Sequence, residues 1–257
     1  MATKTAKLTS AEIRARLDHP VVDGDGHTME FNPVFLDYLK QVAGADEVKR
    51  YETNAGKSGT RWYGLSTEER NLRRVRRPPF WMLPASNTLD RATAMLPALM
   101  RRRMDEFGID FSIIYTTYLH CPHLRDDELR RATCRALNLM HADMFRGHGD
   151  RMTPAAVIPT NSPEEAIAEL DFAIGELGLK AAQIEGVVPR PVPAIEAVAP
   201  ELAHEGPWLD PLALGEAHDY DPFWARCVAL GVAPTTHASG QGLGHRNPTH
   251  SSVSSEG

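Results

Sequence analysis

Three times along this chain a helical stretch closes on a glycine and passes within a residue or two into a short apolar run. The segments are Phe107-Gly108-Ile109-Asp110-Phe111-Ser112-Ile113-Ile114-Tyr115, Leu177-Gly178-Leu179-Lys180-Ala181-Ala182-Gln183-Ile184 and Leu230-Gly231-Val232-Ala233-Pro234-Thr235-Thr236-His237. Glycine stops a helix by accepting a left-handed backbone, and the runs that follow have the composition of buried strands. Strands separated by helices cannot pair as hairpins. They form a parallel sheet with helices packed outside it, an α/β architecture. No internal repeat shorter or longer than this strand–helix period is present.

The first strand carries the chemistry. In Val21-Val22-Asp23-Gly24-Asp25-Gly26-His27, two β-branched residues lead into two glycines, two carboxylates and an imidazole. Alternation along a strand would put Asp23, Asp25 and His27 on one face. Carboxylate oxygen and imidazole nitrogen both donate to a divalent metal, so the triplet reads as a ligand set. Asp-Gly pairs are also strong turn formers, and a plain surface turn is the competing reading.

This motif resembles the first-strand motif of the amidohydrolase-related family, in its aminocarboxymuconate-semialdehyde decarboxylase-like branch. The family's usual His-x-His reads here Asp25-x-His27, and the three segments quoted above resemble its strands two, four and five. The resemblance runs from about residue 20 to 246. It implies a (β/α) barrel of the metal-dependent hydrolase type with Asp25, His27 and His237 as ligands of one divalent ion. It further implies hydrolysis or non-oxidative decarboxylation of a small, often aromatic, carboxylic acid. A carboxylate in place of the first histidine hardens the site, which admits manganese or magnesium beside zinc.

Composition narrows the class. The chain has 257 residues, 24% charged and 42% hydrophobic, with a formal net charge of -6. That suits one large globular domain and argues against nucleic acid or an anionic membrane as partner, despite the five arginines between Arg70 and Arg77. Cys121, Cys134 and Cys227 are sparse and odd in number, as in a reducing compartment. The amino terminus lacks the apolar core of a signal peptide, and no run approaches the ~20 apolar residues of a membrane span. A cytoplasmic location is expected.

Thr9-x-x-Glu12 predicts a capped short helix, and Asn32-Pro33 predicts a helix start running to about Ala43, with Asn32 as its cap. Residues 46–88, rich in glycine and proline, read as an irregular insertion over the barrel mouth. Arg74, among Arg73, Arg74, Arg76 and Arg77, is a candidate clamp for a substrate carboxylate, which its planar fork matches. Trp62, Phe80 and Trp81 could floor the same pocket. His120 and His123 follow strand two and Glu185 ends strand four, on the face where parallel barrels place reactive groups; all three are candidate substrate contacts. Residues 187–211 read as a long loop. The domain is expected to span 1–246, with 247–257 a disordered tail.

Family members continue beyond strand five to a catalytic histidine and a further metal-binding aspartate, and no segment here resembles either. The sequence therefore reads as an incomplete barrel of about five of the usual eight strands. No catalytic acid–base residue is assigned, and weak turnover by this polypeptide alone is expected. A catalytically inactive barrel that binds metal or a partner is the alternative. An unpaired strand edge also invites association into a homo-oligomer.

Overall fold

The computed structural model describes residues 7–55, 65–73, 87–118, 121–203, 207–212 and 217–237. Its centre is a five-stranded, all-parallel sheet. The strands are β1 (Val22–His27), β2 (Phe111–Tyr115), β3 (Met152–Val157), β4 (Ala181–Glu185) and, last among the described residues, β7 (Pro234–His237). They lie in that order across the sheet, so each helical crossover returns the chain one position further along.

The sheet is curled. Four inter-strand steps of roughly 4.8 Å would leave β1 and β7 about 19 Å apart in a flat sheet. Instead the imidazoles of His27 on β1 and His237 on β7 have ring centroids 4.8 Å apart. The sheet is an incomplete barrel whose two outer strands converge at their carboxyl ends.

Helices cover the convex side. They are α1 (Ser10–Arg14), α2 (Asn32–Ala43), α3 (Ala45–Ala55), α4 (Thr67–Arg73), α5 (Thr88–Met95), α6 (Pro97–Phe107), α7 (Asp127–Met144) and α8 (Pro163–Leu170). Past a one-turn helix at Pro193–Glu196, α9 (Asp221–Leu230) completes the set. The expected capping box at Thr9 and Glu12 is formed. Asp126 and Ser162 cap α7 and α8 with their side chains, whereas α2 is capped at Phe31, one residue before the expected Asn32, with no side-chain bond.

Pro97 opens α6 directly after Leu96, which separates it from α5. Gly108 then ends α6 in the left-handed conformation, at φ 72°. A Cβ there would lie 2.8 Å from the Ser10 carbonyl of α1, so glycine is required twice over.

Two expected irregular regions contain regular structure. Residues 46–88 include most of α3 and all of α4, because acidic residues in their first turns suit helix N-termini. Residues 187–211 hold an antiparallel ribbon, β5 (Val188–Arg190) with β6 (Trp208–Asp210). Arg190 anchors it, donating to the buried Asp210 carboxylate, to the Asn161 carbonyl (3.0 Å) and to the Tyr220 hydroxyl (2.8 Å). The tail, 247–257, lies outside the described residues.

Helix α7 is the main external buttress, and four of its nine buried positions are polar. Arg130 forms a bidentate pair with Glu165 of α8 (3.0 and 2.9 Å). Asn138 exchanges hydrogen bonds with the backbone of Val157 on β3 (2.7 and 3.0 Å). His141 Nε2 lies 3.0 Å from Glu30 Oε1 with both side chains fully buried. Glu30 also accepts from the Thr116 and Thr117 hydroxyls at 2.5 Å and from the Thr117 backbone amide. Burial alone would raise the Glu30 carboxyl, but the His141 bond and charge and the threonine hydroxyls outweigh it and hold it below its ordinary 4.5.

Two outcomes are expected. Gly108→Ala destabilises the protein by at least the ~1–2 kcal/mol that a left-handed alanine costs, read from urea unfolding with unchanged m. Glu30→Ala, which strands His141, costs about 3–5 kcal/mol. Because the folded carboxyl titrates below the unfolded one, its stabilisation is complete above about pH 4.5 and is lost as pH falls through the lower folded value. Unfolding free energies measured from pH 6 down to 3 should therefore fall more steeply for the wild type than for Glu30→Gln. Parallel curves would refute the role given to Glu30.

Candidate metal centre

A β-bulge decides which side chains enter the concave side. Asp23 pairs with Ser112, but the next pairs are Gly26 with Ile114 and His27 with Tyr115, so Gly24 and Asp25 together face Ile113. Two residues against one reverses the alternation. The expectation that Asp23 shares a face with Asp25 and His27 is therefore wrong. Asp23 points outward, accepting from the Ser112 hydroxyl at 3.0 Å and bordering a cavity of about 240 Å³ under α5 and α6. Glycine permits the bulge, since a Cβ on Gly26 would meet Ser112 Oγ at 2.4 Å.

Asp25 and His27 face inward, where the curl delivers His237. The three residues offer ligand atoms that all lie within 4.8 Å of one another. His237 Nε2 is 3.1 Å from Asp25 Oδ1. His27 Nδ1 lies 3.1 Å from the Asp25 carbonyl, a contact that assigns its proton to Nδ1 and leaves the Nε2 lone pair for a ligand. Burial, then the nearby His237, push the His27 imidazole below its usual pKa, so it stays neutral and able to ligate to lower pH. Asp25 is exposed and His237 mostly enclosed, so the cluster has one open side. Two imidazoles and a carboxylate with an open side fit a single divalent ion.

Tyr115 forms the floor. Its ring stacks on His237 with centroids 4.9 Å apart and approaches His27 at 6.0 Å. Ala155 and Ala181 pack against it from the two intervening strands. Beside His237 in register stands Glu185, buried, with His123 Nε2 3.1 Å from its carboxylate. The structure thus pairs two of the expected substrate contacts with each other. Arg74 and His120, like Arg76, Arg77, Trp62, Phe80 and Trp81, lie outside the described residues.

Reading the sequence missed Tyr115 and the Glu30–His141 pair. The signals were a tyrosine at the carboxyl end of an inward-facing strand and an ionisable residue within the buried stripe of α7. It also missed Gln183, buried on the same inner face between Val157 and Thr235, whose amide makes no hydrogen bond among the described residues.

Comparison with known proteins extends this geometry. No curated protein matches the chain. Among solved structures, an amidohydrolase from Mycobacterium avium subsp. paratuberculosis is 20% identical, with a TM-score of 0.52 over 88% of this chain and 60% of that one. The 5-carboxyvanillate decarboxylase of Novosphingobium aromaticivorans, solved with bound manganese, is 16% identical, with a TM-score of 0.51 over 86% of this chain and 51% of that one. A dihydroxybenzoic acid decarboxylase from Polaromonas, with manganese and 2-nitroresorcinol, is 19% identical, with a TM-score of 0.51 over 85% and 49%. At these identities the likeness is one of fold, and the chain spans about half the length of the two decarboxylases. No helix among the described residues is long and apolar enough to cross a membrane. The amidohydrolase family model matches residues 88–254, well over half of the sequence, and the chain belongs to that family.

Proposed function

We propose that Asp25, His27 and His237 hold one divalent metal ion, and that the site acts on a small aromatic carboxylic acid by non-oxidative decarboxylation. The observation that carries this is the meeting of donor atoms from the two outermost strands of a curled sheet, 3.1 Å apart at their closest. In a flat sheet these strands would lie about 19 Å apart, and the curl that joins them sets two imidazoles and a carboxylate around one point. Hydrolysis is the second reaction class of the family. Decarboxylation is favoured because two neighbours of the same fold are decarboxylases solved with manganese.

A bound divalent ion supplies Lewis acidity, polarising a substrate oxygen beside it. The mixed carboxylate–imidazole set suits manganese or zinc, with magnesium third. The protein's own groups divide the remaining work. Asp25, on the open side, adds negative charge that draws the cation in. His27 is fixed in one tautomer by its own strand. Glu185 orients His123, and this pair contacts the substrate on the β4 side of the centre. The partner is thus a small-molecule carboxylate.

Titration of the purified, metal-stripped chain with Mn²⁺, followed by loss of the free-ion electron paramagnetic resonance signal, should show one site. Asp25→Ala and His237→Ala should each weaken binding by more than the roughly 10-fold that loss of an outer partner costs. Carbon dioxide release from 2,6-dihydroxybenzoate or 5-carboxyvanillate, dependent on the added metal and abolished by chelation, would distinguish decarboxylation from hydrolysis. A wild-type chain that binds neither Mn²⁺ nor Zn²⁺ would sink the proposal.

A further inference from the structure

We infer that Tyr115 is the positioning residue that holds His237 in register with Asp25 and His27; this rests on the metal-centre reading above. The difficulty it resolves is mechanical. Strand β7 is bonded to β4 on one side and, among the described residues, has no strand on the other. An outer strand held along one edge can twist about it, and His237 sits at its last position.

Tyr115 restrains that strand through the barrel interior. Its hydroxyl donates to Thr235 Oγ1 at 2.9 Å, and Thr235 in turn donates to the Ala182 carbonyl of β4 at 3.1 Å. Thr235 stands two residues before His237, so the bond fixes the strand just below the ligand. The ring of the same tyrosine stacks against the His237 imidazole at an interplanar angle of 29°. One side chain therefore sets both the height of the strand and the plane of the ring.

The side chain can span two intervening strands because they present only methyl groups to it. Ala155 and Ala181 lie beneath the ring, where larger residues would lift it away from Thr235. Tyr115 is itself fixed from the other side. It pairs with His27 in register, and its carbonyl accepts from the Thr28 amide at 3.0 Å. It is thus the one described side chain with ring contacts to both histidines.

The hydroxyl and the ring make separable contributions, and the variants should divide accordingly. Tyr115→Phe and Thr235→Val both remove the bond between these residues, and Thr235→Val also removes the bond to Ala182. Tyr115→Phe should therefore weaken Mn²⁺ binding by about 2–10-fold, as for a lost hydrogen bond, and Thr235→Val by at least as much. The double variant should be no worse than Thr235→Val alone, because the bond that Tyr115→Phe removes is already gone there. Tyr115→Leu removes the stack as well and should cost more than Tyr115→Phe. A metal-free readout separates geometry from binding. In proton–carbon NMR spectra, with His237 assigned from its loss in His237→Asn, the His237 Hε1 resonance should carry a ring-current shift. The part of the shift due to Tyr115 persists in Tyr115→Phe and is lost in Tyr115→Leu, which leaves only the contribution of the His27 ring.

Equal Mn²⁺ affinity across all variants, with a wild type that binds, would overturn the role of Tyr115 and leave the metal centre standing. Additive losses in the double variant would also overturn it. A wild type that binds no metal would overturn the metal centre. In that case an unshifted His237 resonance, unchanged in Tyr115→Leu, would overturn the positioning contact as well.

Discussion

The buried carboxylate of Glu30 is the interaction on which the rest of the structure depends. It lies three residues beyond His27 and gathers the exit of β2, through Thr116 and Thr117, and the buttress α7, through His141. A carboxylate with no exposed surface is tolerable only if its lone pairs are filled, and here hydroxyls, an amide and an imidazole fill them. Replacement by an apolar group could preserve packing, but it would not specify where β1 ends relative to β2. The neighbouring Thr28 and Met29 reinforce that placement through the Ala94 carbonyl of α5, accepting at 3.0 and 2.8 Å.

That fixed exit gives the bulge its consequence. With β1 pinned to β2 at His27 and Tyr115 above, and at Val22 and Phe111 below, one extra residue must be absorbed between them. The absorbing segment is Gly24-Asp25-Gly26, the only part of the strand where missing side chains leave room. Asp25 thereby swings to the concave side and Asp23 to the convex side, where Ser112 receives it. The motif that looked like a run of three candidate ligands is two such candidates on the concave side and one structural carboxylate on the other.

The order of elements was legible in the sequence because glycine stops, proline starts and apolar runs report local backbone preference. Gly108 and Gly231 both take the left-handed conformation that those stops require. The candidate ligands Asp25, His27 and His237 were legible through family resemblance, and the structure brings their donor atoms within 4.8 Å of one another. What was hidden is what depends on partners distant in sequence. Apolar periodicity alone marks Leu129, Ala132, Ala136, Leu139 and Met140 as the inward stripe of α7. Leu129, Ala136 and Met140 are indeed buried, but the buried face also includes Arg130, Thr133, Asn138 and His141, each satisfied by a group from another element or its own backbone. Periodicity counts apolar residues and cannot see that a polar one has a mate some 20 to 110 residues away. The ribbon of β5 and β6 escaped for the same reason, since Arg190 and Asp210 look like loop charges until they meet.

The same logic explains why so few side chains can be altered inside the curled sheet. Its concave face must be polar at the top, where Asp25, His237 and Glu185 gather, and nearly empty below, where Ala155 and Ala181 clear a path for Tyr115. A leucine at either alanine would fill that path and gain buried apolar area. It would also push the tyrosine hydroxyl away from Thr235 and release the strand that carries His237. Stability and site geometry therefore pull against one another at these two positions. The small residue there is best understood as a requirement of the histidine on β7, not of the core around it.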